Sequence, residues 1–167
     1  MKLRCILSIL PLFGLITIHA KAKEKTSMID KNSMQIIKPD SLPSNPGSAD
    51  FFTGNVRITP LVSCDEPSCL TCGSVKFEPG ARSAWHTHPK GQLLIVTEGA
   101  GLVQEWGKPI RKIEKGDVIW TPPGVKHWHG AASESGMTHT AVTEMLNGKN
   151  VDWMEKVSGE QYRASAQ

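Results

Sequence analysis

The chain is poor in most features that reveal a function in bulk. Beyond its first two dozen residues it has no apolar run of the ~20 residues that a bilayer span needs, so no later segment reads as a membrane helix. It has no strong excess of either charge: 19 Lys and Arg stand against 16 Asp and Glu, a formal net charge of +3. Removing Lys2, Arg4 and Lys21, which no acidic residue before Glu24 offsets, takes +3 to 0 for the remainder. A near-neutral domain lacks the basic stripe with which proteins hold nucleic acid. No internal repeat and no glycine-rich phosphate loop is present, which argues against nucleotide-dependent chemistry. Cysteine is sparse. Of the four, Cys5 lies in the first apolar run, and Cys64, Cys69 and Cys72 are spaced C-x4-C-x2-C. With no fourth ligand nearby, one local disulfide fits this spacing better than a zinc or iron–sulfur site, and which pair forms is open.

What the chain does contain falls into three segments. Residues 1–22 read as a cleaved secretory signal: Lys2 and Arg4, an apolar run from Cys5 to Ile18 interrupted by Pro11 and Gly14, then the small residues Ala20 and Ala22. The protein is therefore expected in the periplasm or outside the cell. Residues 23–50 read as a linker or N-terminal arm, because Pro39, Pro43, Pro46 and Gly47 forbid a continuing helix. Residues 51–167 read as one all-β domain. Strand patterns at Val56–Val62, Gly73–Phe77, Gln92–Thr97, Gly101–Trp106, Pro109–Glu114, Val118–Thr121 and Met137–Leu146 alternate with turn signals such as Glu98-Gly99 and Pro122-Pro123-Gly124. Short strands at this spacing make an antiparallel sandwich or barrel. Ser158, with Glu160 and Gln161 behind it, starts a short helix through Tyr162.

The histidines carry the chemistry. Five of the six fall between residues 86 and 139, as His86-Thr87-His88, His127-Trp128-His129 and His139. Residues two apart on a strand share a face, so His86 joins His88 and His127 joins His129. Met137, His139, Ala141 and Thr143 likewise share one face. If these faces meet inside a barrel, several imidazoles converge, and a metal ion satisfies their lone pairs. Trp85 and Trp128 alternate away from the histidines and point outward, to pack on the outer sheet or at an interface. Trp120 reads as a packing residue too. Arg82 reads as a solvated turn residue, with the pocket mouth as its alternative place.

At these residues the sequence resembles the cupins. Gly80 to Gly99 reads G-x5-H-x-H-x3-Q-x6-G, with Gly80, His86, His88 and Gly99 on the positions of the first cupin motif and Gln92 where most cupins have glutamate. Gly116 to His127 reads G-x5-P-x-G-x2-H, like the second motif, with Ala131 where many cupins have asparagine. Longer strings, Glu78 to Pro89, Pro123 to Ala131, Met137-Thr138-His139 and Val151 to Val157, resemble the manganese-dependent cupin hydroxynitrile lyases within the quercetin-dioxygenase-like group. The resemblance spans Phe51 to Tyr162, about two-thirds of the chain.

The resemblance implies a double-stranded β-helix, the cupin jelly-roll barrel, with a short C-terminal helix. It implies one divalent metal per chain held by His86, His88, Gln92 and His127, manganese first, with iron, nickel or zinc compatible with the donors. Gln92 beside a three-histidine site is the alternative arrangement. His129 and His139 match two further active-site histidines and are the expected catalytic residues, with a small oxygenated molecule as substrate. A homodimer is expected, with the arm available for exchange. Two other functions stand beside a lyase: a metal-dependent dioxygenase, told apart by oxygen uptake, and a non-catalytic small-molecule or metal-binding cupin.

Overall fold

Turns recur too often along this sequence for long helices, and antiparallel strands result. The computed structural model describes residues 33–63 and 68–164; the signal read at 1–22, the first part of the arm (23–32) and Cys64 lie outside the described residues. The chain divides into two units. Of Met1–Gln35 only residues 33–35 are described, and they are exposed. The unit Ile36–Gln167 carries the fold. After a single 3-10 turn at Pro39–Ser41 come β1 (Asn45–Pro46), β2 (Phe52–Thr53), β3 (Val56–Val62), β4 (Leu70–Phe77), β5 (Arg82–Ser83) and β6 (His86–Thr87). Then follow β7 (Gln92–Glu105), β8 (Arg111–Glu114), β9 (Val118–Thr121), β10 (His127–Ala131), β11 (Met137–Glu144), β12 (Asp152–Trp153) and α1 (Gly159–Arg163).

All pairings are antiparallel. One sheet runs β1-β3-β4-β11-β7 with β9 on the far side of β7; the other joins β7 to β10 and β8, β10 to β5 and β6, β5 to β2, and β6 to β12. The two sheets share β7 and curl around one interior, the expected jelly roll. The sharing corrects one sequence reading. Glu98-Gly99 is not a turn between two strands: β7 continues through it for 14 residues and changes partners, from β9 and β11 to β8 and β10. Gly99 makes the bend. Its φ is +72°, a Cβ there would run into the Gly136 carbonyl, and the register with β11 slips between Thr138 and His139.

The interior holds two apolar clusters. Phe52, Val56, Val75, Phe77, Val96, Val103 and Met137 fill the space between the sheets. Trp85, Ile110, Trp128 and Val157 form a second cluster, with Tyr162 of α1 packed on it. Trp85 and Trp128, both under 3 % exposed, thus face away from the histidines and lie beneath the C-terminal segment, whereas Trp120 is 58 % exposed. Ser158 and Gln161 close a reciprocal capping box at the start of α1. Tyr162 donates its hydroxyl hydrogen to the Ala131 carbonyl at 2.8 Å. Arg82 is not a solvated turn residue. It sits on β5, donates to the Val157 carbonyl at 3.1 and 3.2 Å and stacks 4.8 Å over the Tyr162 ring. Its guanidinium fork donates to that carbonyl from a half-buried position against the C-terminal segment.

Candidate metal centre and active site

Strand register brings the histidines together. His127 on β10 lies directly across from His86 on β6, and the rings are 4.2 Å apart between centroids. His129, two residues on, shares the inward face and lies 5.2 Å from His86. His88 follows β6 and comes within 5.0 Å of His86. Gln92 opens β7, and His139 enters from β11, with its ring 4.8 Å from His129. All five histidines and Gln92 are at most 5 % exposed. Residues 86, 88, 92, 127, 129 and 139, scattered over 54 positions of sequence, form one cluster.

The outer nitrogens fix the inner ones. His86 Nδ1 lies 2.9 Å from the Ala84 carbonyl, His88 Nδ1 2.6 Å from the Asn150 carbonyl and His127 Nδ1 3.0 Å from the Val125 carbonyl. A carbonyl oxygen only accepts, so each Nδ1 carries its hydrogen and donates it. Burial also keeps the rings neutral. It drives His86 well below the ordinary 6.5, with His127 and His88 adding to the effect; it lowers His88, against the pull of the Asn150 carbonyl, and lowers His127 to about 4. A neutral ring with hydrogen on Nδ1 has a bare lone pair on Nε2. Three such lone pairs are therefore turned inward. His88 Nε2 is buried with no hydrogen-bond partner, and His127 Nε2 faces the Gln92 amide oxygen at 3.0 Å. Lone pairs gathered in a buried place without donors are costly, and a divalent cation removes the cost. The residues present fit a metal ion.

His129 and His139 are bound differently. His139 Nε2 and His129 Nδ1 lie 3.2 Å apart, so one donates to the other, and His139 Nδ1 is buried without a partner. Burial first, then His139 and His86, holds His129 well below 6.5, and burial lowers His139 to about 4. Phe77 backs both rings at 5.8 and 5.5 Å. His129 also belongs to a close group: one ligand atom each from His86, His127 and His129 lies within 4.8 Å of the others. That triad shares two members with the set expected from sequence and has His129 in place of His88. His88, whose buried Nε2 has no hydrogen-bond partner, lies outside this triad.

A cavity of about 510 Å³ opens onto the cluster, with His88, Gln92, His129 and His139 at its polar end. Its other walls are mainly apolar, including Phe52, Ile58, Val75, Ala141 and Trp153, and no Asp, Glu, Lys or Arg lines it among the described residues. Trp153 stacks on Phe51 at 4.8 Å and leans on His86 at 4.9 Å, which fixes the wall nearest the cluster. Sequence reasoning gave Trp153, Thr71 and Asn150 no role. The one signal for the last was the Asn147-Gly148 pair, a tight-turn dipeptide after a strand.

Comparison with known proteins agrees with this geometry. The cupin domain family matches residues 73–143. An (R)-mandelonitrile lyase from Granulicella tundricola is 55% identical over 130 residues, 78% of this chain and 99% of that protein. Among solved structures, a cupin-like protein from Thermotoga maritima is 44% identical with a TM-score of 0.68, over 78% of this chain and 96% of that one. A predicted oxalate decarboxylase from the same organism, 20% identical with a TM-score of 0.61 over 67% and 100%, shares the fold. With its paired sheets, its two histidine motifs on facing strands and a relative matched over nearly all of that relative's length, this chain belongs to the cupin family.

Proposed function

We propose that the protein is a divalent-metal-dependent lyase that cleaves a cyanohydrin, or a closely related small hydroxylated molecule, into a carbonyl compound and a one-carbon leaving group. The observation that carries this is the inward set of three Nε2 lone pairs and one amide oxygen beside a second, hydrogen-bonded histidine pair. The likeness to a mandelonitrile lyase supports the reaction class.

His86, His88, Gln92 and His127 would hold the ion, with manganese favoured by the family resemblance and iron, nickel or zinc compatible with the donors. When bound, the ion supplies positive charge that acidifies the substrate hydroxyl. Gln92 is neutral, so the ligands leave that charge undiminished. The apolar wall takes the substrate's carbon substituent and excludes water. His129, neutral through burial, accepts the hydroxyl proton. The C–O bond becomes a carbonyl, the carbon–carbon bond breaks, and its electron pair leaves with cyanide. His129 then returns the proton, so hydrogen cyanide departs and the base is restored. His139 orients His129 through the 3.2 Å contact.

The test uses protein purified without chelators or a histidine tag. Metal analysis should find about one divalent ion per chain, and mandelonitrile should release cyanide faster than with the chelator-treated protein. Equal release with and without metal would remove the proposal, and oxygen consumed in step with substrate would replace it by a dioxygenase. Export of the mature chain and its pairing as a homodimer belong to the same reading; the N-terminus of secreted protein and light scattering check them.

A further inference from the structure

Asn150 belongs to no strand, yet it touches the site twice. Its carbonyl accepts the His88 Nδ1 hydrogen at 2.6 Å, from 62 residues away in sequence. Its side-chain amide donates to Thr71 Oγ1 at 3.2 Å and to Thr143 Oγ1 at 3.0 Å. The two hydroxyls lie 2.7 Å apart, and Thr71 also reaches the Thr143 carbonyl at 3.3 Å. Thr71 is on β4 and Thr143 on β11, directly paired, and Thr143 is in turn paired with Gln92 on β7. The amide's two hydrogens thus meet two hydroxyls fixed by three strands.

A tight turn delivers Asn150 to this place. Asn147 and Gly148 both have positive φ, 53° and 77°, and Leu146 and Lys149 exchange hydrogen bonds at 2.8 and 3.1 Å across them. The chain reverses in two residues after β11 and returns along the cavity wall through Asn150 and Val151 to β12, whose Trp153 pairs with His86. His86 and His127 take their Nδ1 acceptors from carbonyls two residues away, which local backbone supplies. His88 depends on a distant one.

We propose that Asn150 is a positioning residue for the metal site: clamped by the Thr71–Thr143 hydroxyl pair, it holds its carbonyl where His88 must keep hydrogen on Nδ1 and present Nε2 inward. This rests on the reading of His88 as a ligand. A ligand held by such a partner loses affinity for metal by about 10- to 100-fold when the partner goes.

Two variants test it, Asn150→Ala and the double variant Thr71→Val/Thr143→Val, which leaves Asn150 in place but unclamped. Manganese affinity is read from the free-ion resonance signal during titration. The His88 tautomer is read without metal from long-range nitrogen–proton correlations on ¹⁵N-labelled protein. The expected result is at least a 10-fold weaker Kd in both variants, little further loss when all three changes are combined, and a mixed His88 tautomer in place of the single Nδ1–H form. A Kd within twofold of the parent and an unmixed tautomer in Asn150→Ala would overturn the proposal, and a change confined to Asn150→Ala would remove the clamp. If the parent protein binds no divalent metal, the proposed function falls, whereas the tautomer still decides the role of Asn150.

Discussion

His127 Nε2 and the Gln92 amide oxygen face each other at 3.0 Å, and neither carries a hydrogen to place between them. His127 has given its hydrogen to the Val125 carbonyl through Nδ1, and burial keeps it from taking a second near neutral pH. Two acceptors at that distance repel unless a cation lies beside both. Gln92→Glu should therefore tighten divalent-metal binding by about 10-fold, since a carboxylate adds charge to the donor set. It should slow cyanide release, because the same charge weakens the acidification of the substrate. Competition with a chelating dye and a steady-state assay read the two effects. A variant that binds more tightly and turns over faster would show that ligand charge does not limit the reaction.

His129 has two possible places in the centre, and one variant separates them. As the base, its replacement by alanine should lower kcat by about 10²- to 10⁴-fold with metal content retained. As a ligand in the compact triad with His86 and His127, its loss should empty the site instead. Metal content of His129→Ala beside kcat decides. His139→Ala should cost less than His129→Ala in kcat, since it acts through its neighbour.

Acid should destabilise the metal-free protein in a defined window. His139 falls from 6.5 to about 4 on burial, and His129 lies well below 6.5 for the same reason. Below pH 6.5 the unfolded chain takes up protons that the folded chain refuses, so stability rises with pH there. The contribution is complete above about pH 6.5 and is lost as pH falls through about 4. Each such histidine steepens the slope by up to about 1.4 kcal/mol per pH unit. Urea midpoints at pH 7.5, 6, 5 and 4.5 should fall in order, and His139→Gln should flatten the profile. An unchanged profile in that variant would assign the acid sensitivity elsewhere.

The bend in β7 gives a stability prediction with an internal contrast. Gly99→Ala sets a Cβ at φ +72° against the Gly136 carbonyl, and should cost about 3 kcal/mol or prevent folding. Gly73, on β4, meets only the Thr59 carbonyl at 3.7 Å, an ordinary contact. Gly73→Ala should be neutral or slightly stabilising, because alanine loses less backbone freedom in a strand. Thermal melts of both check this, and equal effects would deny the bend its steric basis.

The two histidine motifs, the strand texture and the helix start at Ser158 could be read directly from the chain. They depend on spacing within a few residues, where the alternation of a strand or the reach of a cap already dictates which groups meet. The histidines His86, His88, His127, His129 and His139 could be singled out for the same reason, whereas Gln92 as a ligand and the roles of His129 and His139 came from the resemblance to the cupins. From local spacing alone their convergence could not be read, because it depends on β10 pairing with β6 and β11 lying beside β7, and only the resemblance to the cupins implied it. Nor could the continuity of β7 across Gly99, where a turn-forming residue serves as a bend between two sheets. Arg82 shows the same limit: charge suggests solvent, and only a tertiary carbonyl at Val157 draws it in. The residue types and local spacing thus set which side chains are available for chemistry. The packing of strands distant in sequence decided which lone pairs face one another and, at Asn150, which backbone oxygen holds His88 in place, since such contacts form only when loops of tens of residues close.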